Sequence, residues 1–416
     1  MNLYSACVAT LYLAAYPWLA RRYREGFDER RGLYGDLSFL SGRRPLWVHA
    51  VSVGEVQSAL PLLRRARRAV GDTPLLLSTV TPTGRRMGLR LLDGVVDGQV
   101  YYPWDVPWIV NRALDALDPL LYAAVETEIW PGLLTALKRR SIPAFLVNGR
   151  LSEGSFRRMS HWPSFWRKAY GLFEAVFVRA DDDMERFLRL GVAPDRLHLV
   201  GDFKIDALLD RHDRADLSDL RRELAGEGPL FIAGSTHEGE EEVVVEAFRL
   251  LRQTVPRARL VVVPRHPERA RAVRALCGKD FSSFLMSQRG AGWDILVVDQ
   301  VGVLFDLYGL ASGAFVGGSL VARGGQNLLE PACWALPVAH GPHMEDFAVA
   351  ARDLARFGVA RTVIDPVQLA RFWRDCLDGN LAEEASAGSK GYFAVRGGAA
   401  SRAWTQMEPY LSQNRR

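Results

Sequence analysis

Leu46–Leu63, LWVHAVSVGEVQSALPLL, is the stretch from which the rest of the chain can be read. It begins as a run of β-favouring apolar residues and turns at Ser52-Val53-Gly54. It continues with Val56, Ala59, Leu60 and Leu63 on one helical face. A buried strand that turns straight into a helix opens a parallel α/β sheet, and ligands collect at the carboxyl ends of such strands. Glu55 falls on the first turn of that helix, where the helix dipole favours a negative charge. No core requires a carboxylate there, which makes Glu55 a candidate functional residue.

The same alternation runs along the chain. Trp47–Val51, Leu75–Ser78, Val100–Tyr102, Leu120–Val125, Ala144–Val147 and Ala175–Val178 read as strands, with helical patterns such as Trp130–Arg140 and Asp182–Leu190 between them. A second series begins near Pro229 with Leu230–Ala233, Leu260–Val263, Ile295–Val298, Ala314–Val316 and Val338–His340. A polar stretch, Asp206–Gly228, separates the two. The expected class is α/β, with two Rossmann-like doubly wound domains facing a cleft. Residues 25–205 form the first domain and 206–380 the second. Residues 381–416 form a helical tail packing back on the first domain, and residues 1–24 a membrane anchor or interfacial helix.

Length and composition agree: 416 residues, 48% hydrophobic and 24% charged, suit two globular domains. A net charge of +5 favours an anionic substrate or a membrane surface and is too small to argue for nucleic acid. Cys7, Cys277, Cys333 and Cys376 are scattered without a CxxC pair, so neither a disulfide framework nor a metal site is expected. Asn2–Ala20 is uncharged and rich in Leu, Ala and Tyr, and Arg21-Arg22-Tyr23-Arg24 follows at once. Such a run spans a bilayer or lies in its interface, and a helix buried in the fold is the less favoured third reading. The order of apolar run and positive residues is opposite to that of a secretory signal peptide, and the positive-inside rule puts the remainder in the cytoplasm. No GxGxxG follows the first strand of either half, and no GxxxxGK[ST] or HExxH motif occurs. Dinucleotide dehydrogenase, P-loop and HExxH zinc chemistry are thereby excluded.

The chemistry-bearing segments sit at strand ends. Gly234-Ser235-Thr236 can offer amides and hydroxyls to a phosphate, or else open a capping box with a following Glu. Pro264-Arg265-His266-Pro267 suits a phosphate or carboxylate. Gly317-Gly318-Ser319 and Gly324-Gly325 allow close backbone approach to a ligand. Asn327 and Glu330 lie three apart at a helix start, where a carboxylate can hold a ribose diol. In the first half, Asp105, Glu126, Glu128 and the Asn148-Gly149-Arg150 turn stand at the same end of successive strands as Glu55.

Together, His49–Glu55, Ser78–Gly84, Glu126–Pro131, Asn148–Ser152, Gly234–Glu241, Pro264–Arg269, Val316–Ala332 and Gly341–His343 resemble, in family order, the 3-deoxy-D-manno-octulosonic acid (Kdo) transferases of lipopolysaccharide synthesis. The resemblance implies a glycosyltransferase of the B type on the cytoplasmic face of the inner membrane. Its donor is CMP-Kdo, its acceptor is a tetra-acylated lipid A precursor that receives one or more Kdo units, and no metal or other cofactor is implied. Glu55 is then the general base, ionised at pH 7. Pro264, Arg265, Gly302, Val303, Leu304, Asn327, Leu328, Leu329 and Glu330 hold CMP, with Ser235, Gly318 and Ser319 beside them. Glu126, Glu128 and Arg150 lie on the acceptor side. Two departures stand out: Gln326 replaces the His of the usual GGHN, and Val301-Gly302-Val303-Leu304 replaces MGEL. The rival readings are a membrane-associated B-type transferase of a UDP-sugar and a non-catalytic membrane-surface module.

Overall fold

The structure, a computed structural model, describes residues 2–224, 226–290 and 292–414; residues 1, 225, 291, 415 and 416 lie outside it. The chain divides into two compact units, Met1–Ala207 with Arg396–Arg416, and Leu208–Val395.

The first unit is built on seven parallel strands in the order β3-β2-β1-β4-β5-β6-β7. They are β1 (Leu46–His49), β2 (Leu75–Thr79), β3 (Gly98–Tyr101), β4 (Leu121–Val125), β5 (Ala144–Gly149), β6 (Ala175–Val178) and β7 (Leu197–Leu199). Helices α1 (Asn2–Arg22), α2 (Val53–Val70), α3 (Pro131–Arg139) and α4 (Phe203–Asp213) belong to or leave from it. Strand β1 pairs Leu46 with Leu75 on one side and with Leu121 on the other. Successive side chains point to opposite faces, and both faces are covered. Leu46 and Val48 pack with Val56, Ala59, Leu60 and Leu63 of α2, while Trp47 packs with Leu76, Tyr122 and Leu133. The amphipathic reading of Leu46–Leu63 therefore reflects a strand buried twice over and a helix buried on one face.

Helix α1 is part of this unit and not a separate element. Tyr12 is buried against Val106 and Ile109, with Val8, Tyr16 and Leu19 beside it. Aromatic contacts link Tyr4 to Phe165, Tyr12 to Trp104 and Tyr16 to Phe27. The helix is also long and apolar enough to cross a membrane.

The second unit repeats the architecture in the order β10-β11-β9-β8-β12-β13-β14. Its strands are β8 (Leu230–Thr236), β9 (Arg259–Pro264), β10 (Ser283–Leu285), β11 (Ile295–Val297), β12 (Gly313–Val316), β13 (Val338–His340) and β14 (Ala360–Thr362). Phe231, Ala233, Leu260, Val262 and Phe315 face one core, and Ile232, Val261, Val263 and Ala314 face the other. Helices α5 (Glu241–Thr254), α6 (Leu329–Cys333) and α7 (Gly379–Arg396) are the ones that bear on the site and the return of the chain.

The return comes later than expected. Leu381 is buried with Phe372 and Trp373 in the second unit, and Tyr392 meets the ring of Phe357 at 5.8 Å. Residues 381–395 thus stay with the second unit. Gly398, at φ 79°, ends the helical run, and α8 (Ala399–Met407) then places Ala403, Trp404 and Met407 in the first unit's core. The outgoing boundary lies inside α4, at Ala207/Leu208.

Candidate active site

Each sheet changes direction once, between β1 and β4 in the first unit and between β8 and β12 in the second. Loops diverge from the carboxyl ends of such strand pairs, and ligand sites form there. Glu55, Glu126 and Glu128 follow β1 and β4; Ser235 lies at the carboxyl end of β8 and Gly317–Leu320 follow β12. Topology alone accounts for this gathering.

Ser52 is the N-cap of α2, its hydroxyl accepting from the Glu55 N–H at 3.5 Å. The Glu55 carboxylate turns back to accept from the Val51 N–H at 2.8 Å and from the Ser52 hydroxyl at 3.3 Å. This Ser-x-x-Glu arrangement resembles a capping box displaced by one residue, and it fixes the carboxylate in place. Burial raises the Glu55 carboxyl to about 7, with repulsion from Glu128 and Glu126 adding to it and the Val51 N–H opposing. The expectation of an ionised Glu55 at pH 7 is corrected accordingly: burial first, and the two neighbouring carboxylates after it, bring the group to about 7.

Glu126 adopts φ 62°, and Asn148, at the end of β5, φ 53°. Side-chain-bearing residues in this region cost energy and recur at functional sites. Lys204 of α4 lies 3.4 Å from Glu126, and Asn148 accepts from the Phe203 N–H at 2.9 Å. Glu128 accepts from the Trp130 indole at 2.9 Å and lies 3.8 Å from His49 Nε2. His49 is fully buried, stacked on Tyr102 at 3.7 Å, and burial lowers its pKa. Arg150 is exposed at the end of β5 and forms no ion pair among the described residues. Asp105 leaves the group. It is buried and accepts from Gly132 N–H (2.8 Å), Leu133 N–H (2.6 Å) and the Tyr4 hydroxyl (2.8 Å). It caps α3, which has no cap of its own.

In the second unit two backbone amides of the glycine loop, at Gly318 and Ser319, are already engaged within the protein. The Glu240 carboxylate, fully buried, accepts from the N–H groups of Gly318 (2.7 Å), Ser319 (2.9 Å), Leu320 (2.8 Å) and His237 (2.9 Å). The protein has filled its own anion nest. Neither Gly318 nor Ser319 keeps an amide for a ligand, and the Ser319 hydroxyl is spent on Val316 O and Gly341 N–H. The capping-box alternative fails too, because α5 starts only at Glu241 and its N-cap, Glu240, makes no side-chain cap. Thr236 instead donates to Glu241, which also holds Arg269 at 2.8 Å.

The remaining donor-side candidates stay at strand ends. Ser235 sits at φ 57°. Pro264 ends β9. Arg265 donates its backbone N–H to Thr236 O at 2.9 Å, while its side chain is exposed and unpaired among the described residues. His237 and His266 meet edge-on at 6.1 Å. Asn327 accepts from the Leu329 N–H at 3.1 Å and donates to Glu330 at 3.4 Å. Burial raises the Glu330 pKa, opposed by Arg211. Gly302, at φ 91°, offers its carbonyl to Arg211, and Val303 and Leu304 lead into a short helix, Leu304–Tyr308. Leu328 is buried and Leu329 begins α6. Sequence reasoning missed His49, Lys204, Trp130, Arg211 and Glu240. Only Glu240 carried a local signal, lying beside the Gly-Ser-Thr turn. Among the described residues no group of three His, Cys, Asp or Glu is arranged to hold a metal ion.

The two doubly wound units have the fold of the B-type glycosyltransferases. A glycosyltransferase from Rickettsia africae ESF-5 matches 89% of this chain and 98% of its own at TM-score 0.55 and 11% identity. A UDP-GlcNAc 2-epimerase from Neisseria meningitidis matches 84% and 98% at TM-score 0.56 and 13% identity. The family described as 3-Deoxy-D-manno-octulosonic-acid transferase (kdotransferase) matches residues 25–207. A 3-deoxy-D-manno-octulosonic acid transferase of Haemophilus influenzae (strain ATCC 51907 / DSM 11121 / KW20 / Rd) is 31% identical, covering 94% of this chain and 93% of the relative. That of Bordetella pertussis is 31% identical over 99% of each. The chain belongs to the Kdo transferase family and is a glycosyltransferase.

Proposed function

We propose that this chain transfers Kdo from CMP-Kdo to the 6′-hydroxyl of a tetra-acylated lipid A precursor, once or more, with inversion at the anomeric carbon. The observation that carries the reading is Glu55, a carboxylate fixed at a strand switch point and raised to about 7. A general base works best when its proton affinity matches the working pH. Glu55 takes the acceptor hydroxyl's proton as that oxygen forms a bond to the anomeric carbon. The bond from that carbon to the CMP phosphate oxygen breaks, and its electron pair leaves with CMP. Arg265, exposed and unpaired among the described residues, is the natural partner for the departing phosphate. Asn327 and Glu330, with the backbone of Gly302–Leu304, are placed to hold the nucleoside. Glu126, Glu128 and Arg150 belong to the acceptor side.

A lipid acceptor calls for a membrane, and α1 supports docking at the cytoplasmic face of the inner membrane. Tyr4, Val8, Tyr12, Tyr16 and Leu19, spaced along one stripe, face the first unit, while Leu3, Leu11, Leu13 and Trp18 are exposed. A helix that packs one stripe on a globular unit and leaves its other apolar side chains exposed suits a place in the interface. Alkaline carbonate should therefore release the protein from membranes; retention in the pellet would favour a span. The activity test is mass spectrometry of the product formed from CMP-Kdo and the lipid A precursor. Failure to add Kdo, or thermal stabilisation by UDP and not by CMP, would sink the reading.

A further inference from the structure

The first unit contains a buried relay that the proposed reaction does not use. Trp47 Nε1–H donates to Ser78 Oγ at 2.7 Å, and Ser78 Oγ lies 3.0 Å from His49 Nδ1. The Ser78 carbonyl, 3.2 Å from the same ring nitrogen, already accepts from the Ala50 N–H at 3.0 Å. The Ser78 oxygen accepts from the indole, which leaves the hydroxyl hydrogen free to donate to His49 Nδ1 at 3.0 Å. The neutral imidazole then carries its own hydrogen on Nε2. Among the described residues that nitrogen has no hydrogen-bond partner, and it lies 3.8 Å from Glu128 Oε2. The opposite tautomer would turn a bare lone pair toward a carboxylate. Trp130 Nε1–H reaches the same Glu128 oxygen at 2.9 Å.

We propose that His49 is a positioning residue: fixed as its Nε2–H tautomer by Trp47 and Ser78, it joins Trp130 in orienting the Glu128 carboxylate near Glu55. The inference rests on the reading of Glu55 as the base. The Trp130 indole donates to Glu128 at 2.9 Å, the imidazole edge lies 3.8 Å from the same oxygen, and Glu128 in turn raises the proton affinity of Glu55. The other titratable groups around Glu55 are Glu126, neutralised by Lys204 at 3.4 Å, and the Tyr122 and Tyr102 phenols, which stay protonated because burial holds their pKa values well above the ordinary range. None of these can replace Glu128 as the unneutralised charge.

The test is the pH dependence of kcat/KM in four forms of the full-length chain: wild type, Glu128→Gln, His49→Phe and Glu55→Gln. Glu128→Gln keeps an oxygen for Trp130 and removes the charge. Its acidic limb should move about one pH unit lower, the size expected for losing one nearby charge at an effective dielectric of about 20. His49→Phe keeps the stacking on Tyr102 and should move the limb the same way by less, while KM for CMP-Kdo stays near wild type. A limb that stays put in Glu128→Gln while the rate falls would overturn the inference, because a structural defect lowers amplitude without moving a titration. Should His49→Phe fail to fold, Glu128→Gln and the milder His49→Gln, which restores a donor near Nε2, decide the matter. Glu55→Gln separates the two levels. Turnover retained there removes Glu55 as base, whereas an inactive Glu55→Gln with an unshifted Glu128→Gln limb removes the relay alone.

Discussion

Replacing Glu240 by Gln tests whether the second unit's glycine loop is held by an internal anion. Its two carboxylate oxygens share four backbone donors: one takes Ser319 and Leu320, and the other takes His237 and Gly318. A Gln keeps one oxygen and turns an NH₂ toward the other two donors, so two hydrogen bonds to a charged acceptor are lost. At about 1.5–3 kcal/mol each, the loss is about 3–6 kcal/mol, a large part of the roughly 5–15 kcal/mol that holds a typical domain folded. Urea denaturation of both proteins, followed by far-UV circular dichroism, should show an early transition assignable to the second unit. Hydrogen exchange at Gly318, Ser319 and Leu320 should accelerate at least about a hundred-fold, the factor that about 3 kcal/mol produces. The first unit's transition should not move. A variant within about 1 kcal/mol of wild type, with those amides still protected, would refute the claim that Glu240 fills the nest and would reopen the loop as a ligand-binding element.

Glu55→Gln should trade activity for stability. Raising a carboxyl from 4.5 to about 7 costs a folded protein at most about 3 kcal/mol, and partial exposure reduces this to about 1–2 kcal/mol. The cost is absent below pH 4.5, where folded and unfolded carboxyls are both protonated; it grows as pH rises through 7 and is constant above. The variant should therefore resist urea better than wild type at pH 8 and match it at pH 4, and the reverse order would contradict the burial argument. Arg265→Ala should weaken CMP binding about 10- to 100-fold by calorimetry, the value of a charged hydrogen bond, without changing the melting curve. Lys204→Met leaves Glu126 unneutralised, so the acidic limb of kcat/KM should move to higher pH, opposite to Glu128→Gln. Lys204 is half exposed, so a few tenths of a unit is the scale to look for; a downward shift would count against the carboxylate cluster.

The strand-turn-helix at Leu46–Leu63 was legible because both its periods are local and both its faces are buried. β7, β10 and β14 were not, since three residues at a sheet edge are too few to show a period of two. The late return of the chain at Arg396 was written in Gly397-Gly398, but the helical pattern on either side hid it; only the burial of Leu381 beside Trp373 assigns that stretch to the second unit. Glu55 was found by position, while its proton affinity depends on Glu126 and Glu128, some 70 residues on, and on burial that no local pattern reports. Glu240 shows the same limit in reverse. The glycine loop was read as waiting for a ligand because its anion lies 78 residues earlier in the chain.

Both units are seven-stranded parallel sheets with a switch point beside their first strand, and they fill it with opposite chemistry. At the β8/β12 switch of the second unit, both Glu240 oxygens are committed to backbone donors and removed from solvent. A carboxylate so engaged has no free position for a proton and acts as structure. The exposed groups at that end include the cation Arg265 and the imidazole His266, with the carboxylate of Glu238 beyond β8. At the β1/β4 switch of the first unit, Glu55 commits one oxygen to the Val51 N–H, and its other oxygen meets only a hydroxyl, at 3.3 Å. Uncommitted lone pairs and a neighbouring negative charge together make a base. The same pair of conditions excludes Glu240, and it excludes Asp105, whose oxygens are both engaged at the start of α3. In the proposed reaction Glu55 is therefore the base, its uncommitted oxygen set beside the carboxylates of Glu126 and Glu128, and the sequence position that marks it is a consequence of the switch point.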